Sequence, residues 1–266
     1  MNALGAIVTF ALCLMVMSLS RRGAVIAIIA GVCYITQGQI INLGFNFTAI
    51  RLIVLAGFVR TMFRGELKQI QFNPIDQALI FYIISIVAIP VVRTGTLGEL
   101  VYQSGVLYNA ILPYLIFRAL IRNQRELADT LKLTAIVIIP YALCLVRESI
   151  TNRNIFSVFD GVASSSMIRD GHVRGQGAFR SPITNGSFGA TFAMMYASLF
   201  FSRSSDSRRV IALGLISSIV IVICAHSSGP LLGLGFGLLS LLLWRFQNHT
   251  RKIRWGILLS IVGLHL

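Results

Sequence analysis

The feature that most constrains this chain is a series of apolar blocks separated by short polar segments. Each block has roughly 18 to 22 residues, the length that spans a hydrocarbon core of about 30 Å as an α-helix. A soluble protein would have to bury every block, and a chain of 266 residues has no room for so many core helices. Hydrophobic residues make up 56% of the chain and charged residues 12%, too little polar material for a soluble surface. The sequence therefore predicts a protein that crosses a membrane many times.

The blocks favour helices over strands. Lipid offers no hydrogen-bond partner to an open sheet edge, so spanning segments are helices or closed barrels, and blocks of this length without polar alternation are not barrel strands. We therefore predict an all-α, polytopic transmembrane helical bundle with no β-sheet and at least eight spanning helices. Residues 1–266 form one membrane domain, and residues 147–181 form an outer polar loop. The predicted spans, with ends uncertain by a few residues, are 3–20, 23–41, 47–63, 74–92, 100–120, 131–146, 182–201, 210–225, 230–243 and 255–266.

The cations are distributed unevenly between the two sides of the predicted bundle. A net charge of +14 would suggest nucleic acid as the partner of a soluble protein. No basic stretch here interleaves with exposed aromatics, so we expect no nucleic-acid partner. Most cations lie in alternate connections, which the positive-inside rule assigns to the cytoplasm, and the N-terminus and the long loop are then outside. The cations predicted to be cytoplasmic include Arg203, Arg208, Arg209, Arg251 and Lys252.

The outer loop and its borders are an exception to this distribution, because they hold several cations on the side that normally has few. One interpretation is a solvated loop whose cations pair with its own acids. The other is an anion site at the outer membrane face, since guanidinium groups bind phosphate oxygens bidentately. The charged residues concerned are Arg147, Arg153, Arg169, Arg174 and Arg180, with His172, Glu148, Asp160 and Asp170.

No motif predicts a metal or another cofactor. The four cysteines lie inside apolar blocks without a C-x-x-C spacing, and the four histidines are scattered. Ser227 and Ser228 follow His226, but a catalytic triad needs a third, orienting group. No basic residue precedes the first apolar block, so we expect a retained span and not a cleaved signal peptide.

Glycines recur at helical spacing in two of the predicted spans. The seventh has Gly186 and Ala190 four residues apart, with Gly189 beside them, and the ninth has Gly229, Gly233 and Gly237. Small residues on one helix face let two backbones approach closely in lipid, so these positions predict tight helix packing.

Three segments resemble the O-antigen ligase and O-antigen/exopolysaccharide polymerase family. In that family an arginine precedes Gly-x-Phe, a proline and a helix start made of small residues. The corresponding residues in this chain are Arg174, Gly177, Phe179, Pro182 and Gly186. The later Ser227-Ser228-Gly229-Pro230 is similar to the family's next landmark. The beginning of the third span is similar as well, with Phe47 and Arg51 followed by Arg60 and Arg64.

This resemblance implies a GT-C-like glycosyltransferase of the bacterial inner membrane. Family members take glycan from an undecaprenyl-pyrophosphate-linked donor and pass it to lipid A core or to another glycan, without a cofactor. Arg174 and Arg180 match the family's pattern for holding the pyrophosphate, and Arg169 and Arg147 are added by proximity. The candidates for lining a cavity are His172, Asn185, His226, Ser227 and Ser228. The family continues through a further outer loop with a histidine and arginines, so the acceptor-activating residue stays unassigned.

Two other functions fit the same composition. A transporter or flippase of a lipid-linked glycan would be expected to have charged residues at the membrane midplane and an internal repeat. An inactive, truncated remnant of the glycosyltransferase family is the third interpretation. In every case, membrane lipid surrounds the protein.

Overall fold

The computed structural model describes residues 2–42, 46–201, 207–245, 255–256 and 259–260. Helices dominate these residues. The α-helices are α1 (Ala3–Ser18), α2 (Arg21–Tyr34), α3 (Ala49–Phe63), α4 (Pro74–Thr94), α5 (Leu97–Leu120), α6 (Gln124–Thr151), α7 (Pro182–Phe201), α8 (Arg208–Cys224) and α9 (Ser228–Arg245). The strands are β1 (Ile40–Asn42), β2 (Asn46–Thr48), β3 (Ile168–Arg169) and β4 (His172–Val173), and 3₁₀ turns cover Glu66–Gln69 and Ile155–Phe159.

Helices α1 to α9 lie close to the first nine predicted spans. By length and composition, α4, α5 and α6 can cross a membrane, while α1 and most of α9 are shorter apolar helices. The described residues are thus mostly helical, as predicted, and the expected eight or more spanning helices are supported for three of the helices that the structure describes. The tenth predicted span, 255–266, lies outside the described residues apart from two short pieces.

The prediction of no β-sheet is wrong. Two antiparallel hairpins pair β1 with β2 and β3 with β4. Their strands have only two or three residues and lie in connections between helices, where the constraint that lipid places on open sheet edges does not apply. Two predicted boundaries also differ. Helix α2 ends at Tyr34 and not near residue 41, and α6 continues to Thr151, so Arg147 is helical and not part of a loop.

Consecutive helices run in alternating directions, so their connections collect at two ends of the bundle. We call the end with residues 152–181 the loop end. It also holds Asn2, whose amide donates to Val158 O (2.7 Å), and Gln37, whose N–H donates to Ala178 O (2.9 Å). The opposite end joins the start of α2 to the start of α6 and the end of α1 to the end of α3.

At the opposite end several cations have partners. The buried Arg60 donates from Nη1 to Val16 O and Leu19 O, each at 2.6 Å, and its Nη2 lies 3.5 Å from Glu66 Oε1. The last carbonyls of a helix lack intrahelical donors, so Arg60 satisfies the end of α1. Three further ion pairs tie helices together here: Arg21 with Glu126 at 2.9 Å, Arg22 with Asp129 at 3.2 Å, and Arg118 with Asp76 at 3.0 Å.

Glycines provide close contact between α7 and its neighbours, as their spacing predicted. A Cβ on Gly189 would lie 2.8 Å from Ile221 Cγ2, and one on Gly186 would lie 2.7 Å from Pro230 Cγ. In α9 only some of the regularly spaced glycines are in close contact with a neighbouring helix. Gly237 meets Met194, whereas Gly233 has no other atom of the described structure within 4 Å of a Cβ.

Replacing Gly189 by leucine should destabilise the protein, because the new side chain would overlap Ile221. Overpacking of a filled interface costs about 1–3 kcal/mol, so we expect the midpoint of thermal unfolding of the purified protein to fall by several degrees. The matched control is Gly233→Leu, the same exchange in a helix with open space beside it. An equal fall in both variants would contradict the packing role of Gly189.

Candidate functional site

The 152–181 segment is packed onto the helix ends, and its core is apolar. Phe156, Ala178 and Phe179 are buried. Hydrogen bonds fasten the segment to the bundle, because Thr36 Oγ1 donates to Asp160 O and Gln37 N donates to Ala178 O at 2.9 Å. Within the segment, Asn154 Nδ2 donates to Gly177 O at 2.8 Å. The predicted polar loop is therefore a folded cap whose backbone is held by the bundle.

Glu148 anchors this cap. The side chain is buried near the end of α6, and its Oε1 accepts from Ser166 Oγ at 2.5 Å and from Gln176 N at 3.0 Å. Its Oε2 accepts from Gly177 N at 3.0 Å. A buried carboxylate is costly unless hydrogen bonds compensate it, and these three donors do so. Both carboxylate oxygens of Glu148 therefore already accept hydrogen bonds. The residue forms no ion pair with an arginine of the described chain.

Asn185 and Tyr141 support the same turn from the helices. Asn185 is fully buried; its Oδ1 accepts from Tyr141 Oη at 2.8 Å, and its Nδ2 donates to Gly175 O at 3.1 Å. Gly177 has φ +58°, and a Cβ there would lie 2.3 Å from Tyr141 Oη, so the turn requires glycine at this position. Asn185, predicted to line a cavity, is placed where it holds the 174–180 turn against α7.

Arg174 differs from the exposed arginines of the loop end because it is buried. The residue is only 7% exposed, and its Nε is buried without a hydrogen-bond partner among the described residues. No acid of the described chain forms an ion pair with its guanidinium. A buried charge without a partner is costly, and an anionic ligand would supply the partner with charge-assisted hydrogen bonds.

Two histidines meet beside the backbone of Arg174. The rings of His172 and His226 stack with centroids 5.0 Å apart and an interplanar angle of 6°. The neighbouring Gly175 N donates to Cys224 O at 2.8 Å, which joins the strand of His172 to the turn before α9. Ser227 is buried in that turn, while Ser228 is exposed at the start of α9. The structure thus brings the 172–175 segment, which holds His172 and Arg174, against the 224–227 turn, about 50 positions later in the chain.

The other predicted arginines are placed differently. Arg180 is exposed at the end of the 174–180 turn. Arg169 is exposed, and its Nε lies 3.6 Å from Asp170 Oδ2. Arg147 faces outward on α6 and lines an open groove together with Arg153; Arg174, Arg180 and Arg169 do not line that groove. The predicted set of four arginines is therefore distributed over more than one surface.

From the sequence, Glu148 is expected only as an acid that pairs with the loop arginines, and Tyr141 has no predicted role. A signal was present, because the two residues are seven positions apart on one helix and therefore share a face. A carboxylate on the face that buries Tyr141 indicates a compensating set of donors from elsewhere in the chain. The identity of those donors, Ser166 and the amides of residues 176 and 177, is visible only in the folded structure.

No protein-family model matches this chain, and no curated protein or solved structure does so either. The chemistry of the site therefore follows from its own geometry.

Within the described ranges, no group of three or more His, Cys, Asp or Glu residues could hold a metal ion. The arrangement around Arg174 presents positive charge and hydrogen-bond donors, which suit the binding of an anion.

Changing Glu148 to glutamine should loosen the 174–180 turn. Glutamine keeps one acceptor oxygen but opposes a second N–H with its own NH₂ group, and an unsatisfied buried donor costs about 1–3 kcal/mol. We expect hydrogen exchange of the Gln176 and Gly177 amides to become roughly tenfold faster or more. Asp170→Asn, an isosteric change of an exposed acid on the same loop, is the control. Unchanged protection in Glu148→Gln would show that the carboxylate is not the anchor.

Proposed function

We propose that the protein is a multi-pass membrane glycosyltransferase with a GT-C-like helical fold, a polymerase or ligase of surface polysaccharide. Its donor is an undecaprenyl-pyrophosphate-linked glycan, and its acceptor is lipid A core or another glycan. The observation that carries the proposal is the buried Arg174 without an acidic partner in the described chain. The motif resemblance around Arg174 and Ser227 supports the same assignment.

The pyrophosphate would bind at Arg174, because the planar guanidinium matches two phosphate oxygens at once. During transfer, the bond between the anomeric carbon and the phosphate oxygen breaks, and its electron pair stays on the pyrophosphate. The acceptor hydroxyl oxygen forms the new bond to the anomeric carbon and releases its proton to solvent or to a general base. A fixed positive charge next to the leaving group stabilises the charge that develops on it. Arg180, exposed at the end of the same turn, is available to assist.

The charge distribution supports an inner-membrane protein whose loop end faces outward. Arg21, Arg22 and Arg118 lie at the opposite end of the bundle, which the positive-inside rule assigns to the cytoplasm. Arg208 and Arg209 begin α8 at that same end, while Arg203, Arg251 and Lys252 lie outside the described residues. A lipid-linked donor would then meet Arg174 at the outer membrane face.

The position of the charges favours an enzyme over a transporter. Charged residues at the bilayer midplane are the usual mark of a transport path. In α1 to α9, charged residues lie towards the helix ends and none lies at a helix centre. The loop-end cations instead suit a ligand that stays at the membrane surface.

Replacing Arg174 by methionine should abolish polysaccharide assembly while leaving the fold intact. Methionine fills similar volume without a buried, unpaired charge, so the thermal midpoint of the purified protein should be equal to or above that of the wild type. Cells that depend on this gene should lose surface polysaccharide chain length or amount. Arg174→Lys should also lower the amount, because it keeps the charge and loses the planar fork.

The control for this experiment is Arg125→Met, which removes an exposed cation at the opposite end of the bundle. This variant should assemble polysaccharide normally when it is present in the membrane at the wild-type level. Normal polysaccharide in cells carrying Arg174→Met, at an equal protein level, would refute the donor-site assignment. A large fall in thermal stability would instead indicate a structural role for Arg174.

A further inference from the structure

A second polar surface lies on the outer side of the cap. It is an open groove of about 680 Å³ between the end of α6 and the segment that follows, within the usual size of small-molecule sites, about 300–1,000 Å³. We call it the α6 groove. Its lining residues are Arg147, Thr151, Asn152, Arg153, Asn154, Ile155, Ser157, Val158, Ser164 and Ser165.

The free polar groups of the α6 groove are mainly donors. Arg147 and Arg153 are exposed, and neither forms an ion pair within the described part of the chain. Ser164 and Ser165 are exposed beside them. No carboxylate lines the groove, and Asn152 already uses its Oδ1 to accept from Ser166 N at 3.1 Å. Two guanidinium groups with hydroxyl donors and no competing acid select an oxyanion.

The groove is held in shape by its own hydrogen bonds. Asn154 donates from its backbone N to Ser164 O at 2.9 Å and accepts at Oδ1 from Phe156 N at 2.9 Å. Ser157 Oγ donates to Asn154 O at 2.7 Å. Asn154 Nδ2 bonds Gly177 O, so the wall of the groove is continuous with the turn that Glu148 anchors. A preformed site loses less conformational entropy when a ligand binds.

The α6 groove also borders exposed apolar surface. Ile155 and Val158 line it and are exposed. On α6, the exposed Leu143 and Ile150 lie four residues before and three residues after Arg147, so all three share one helix face. A cation at the edge of an exposed apolar helix face is in the position at which lipid headgroups meet acyl chains.

We propose that the α6 groove binds a phosphate-type oxyanion through Arg147 and Arg153, supplied by the headgroup of an anionic membrane lipid. This assigns Arg147 to a surface separate from Arg174. This binding does not require glycosyl transfer, and it is measured separately, as lipid binding to the purified protein.

The test measures lipid binding to the full chain, purified in detergent, by native mass spectrometry. The probes are phosphatidylglycerol, phosphatidylcholine as the zwitterionic comparison, and glucose 1-phosphate as a soluble phosphate. The double variant Arg147→Ala/Arg153→Ala removes both guanidinium groups. Its matched control, Arg122→Ala/Arg125→Ala, removes two exposed arginines at the opposite end of the bundle.

We expect phosphatidylglycerol to bind the wild type in preference to phosphatidylcholine. Its apparent Kd should rise about tenfold in the groove variant and stay unchanged in the control. Groove-dependent binding of glucose 1-phosphate without phosphatidylglycerol would support the oxyanion site and overturn its lipid source. Equal binding of both probes by the two double variants would overturn the proposal. Arg147→Gln/Arg153→Gln serves as the groove variant if the alanine variant unfolds. Polysaccharide loss in Arg174→Met cells is independent of all these results.

Discussion

The loop end of the protein depends on the buried carboxylate of Glu148. It accepts hydrogen bonds from Ser166 and from the amides of residues 176 and 177, so a single helix side chain joins two parts of the cap. The same bonds remove Glu148 as a partner for nearby arginines. Because a buried carboxylate must be fully compensated, the turn after Arg174 has little freedom to take another position. These bonds hold the turn that follows Arg174, and Glu148 forms no ion pair with an arginine of the described chain.

The two ends of the bundle differ in the partners of their buried arginines, Arg60 and Arg174. At the opposite end, acids and helix carbonyls pair with several of the arginines, and these contacts connect α1 with α3, α4 with α5 and α2 with α6. At the loop end, Arg174 is buried without such a partner, and Arg147 and Arg153 are exposed without one among the described residues. A buried cation without a partner costs free energy that an anionic ligand can return, whereas an exposed one is solvated by water. The contrast between Arg60 and Arg174 leaves Arg174 as a buried cation available to the anion proposed above.

The cap borders two separate surfaces. Arg174 and the histidine pair lie towards α8 and α9, where Gly175 bonds Cys224. The α6 groove lies where Arg147 and Arg153 face outward. Gly177 allows the chain to pass directly over Tyr141 between them, at a distance that no side chain would permit. A donor pyrophosphate and a lipid headgroup could therefore occupy the two surfaces at the same time under the proposals made above.

Hydropathy alone determined where the described helices lie, because the length of an apolar block is a local property of the chain. The packing of Gly186 and Gly189 was also predictable, since small residues at helical spacing mark close contact. Only the tertiary structure decided that α2 ends at Tyr34, that two hairpins form, and that Arg147 lies apart from Arg174. It also decided that His172 stacks on His226, 54 positions along the chain, and that Glu148 bonds the turn at residues 176 and 177. These contacts join residues far apart in sequence, and hydrogen-bond partners across such distances depend on the packing of helices that no local pattern specifies.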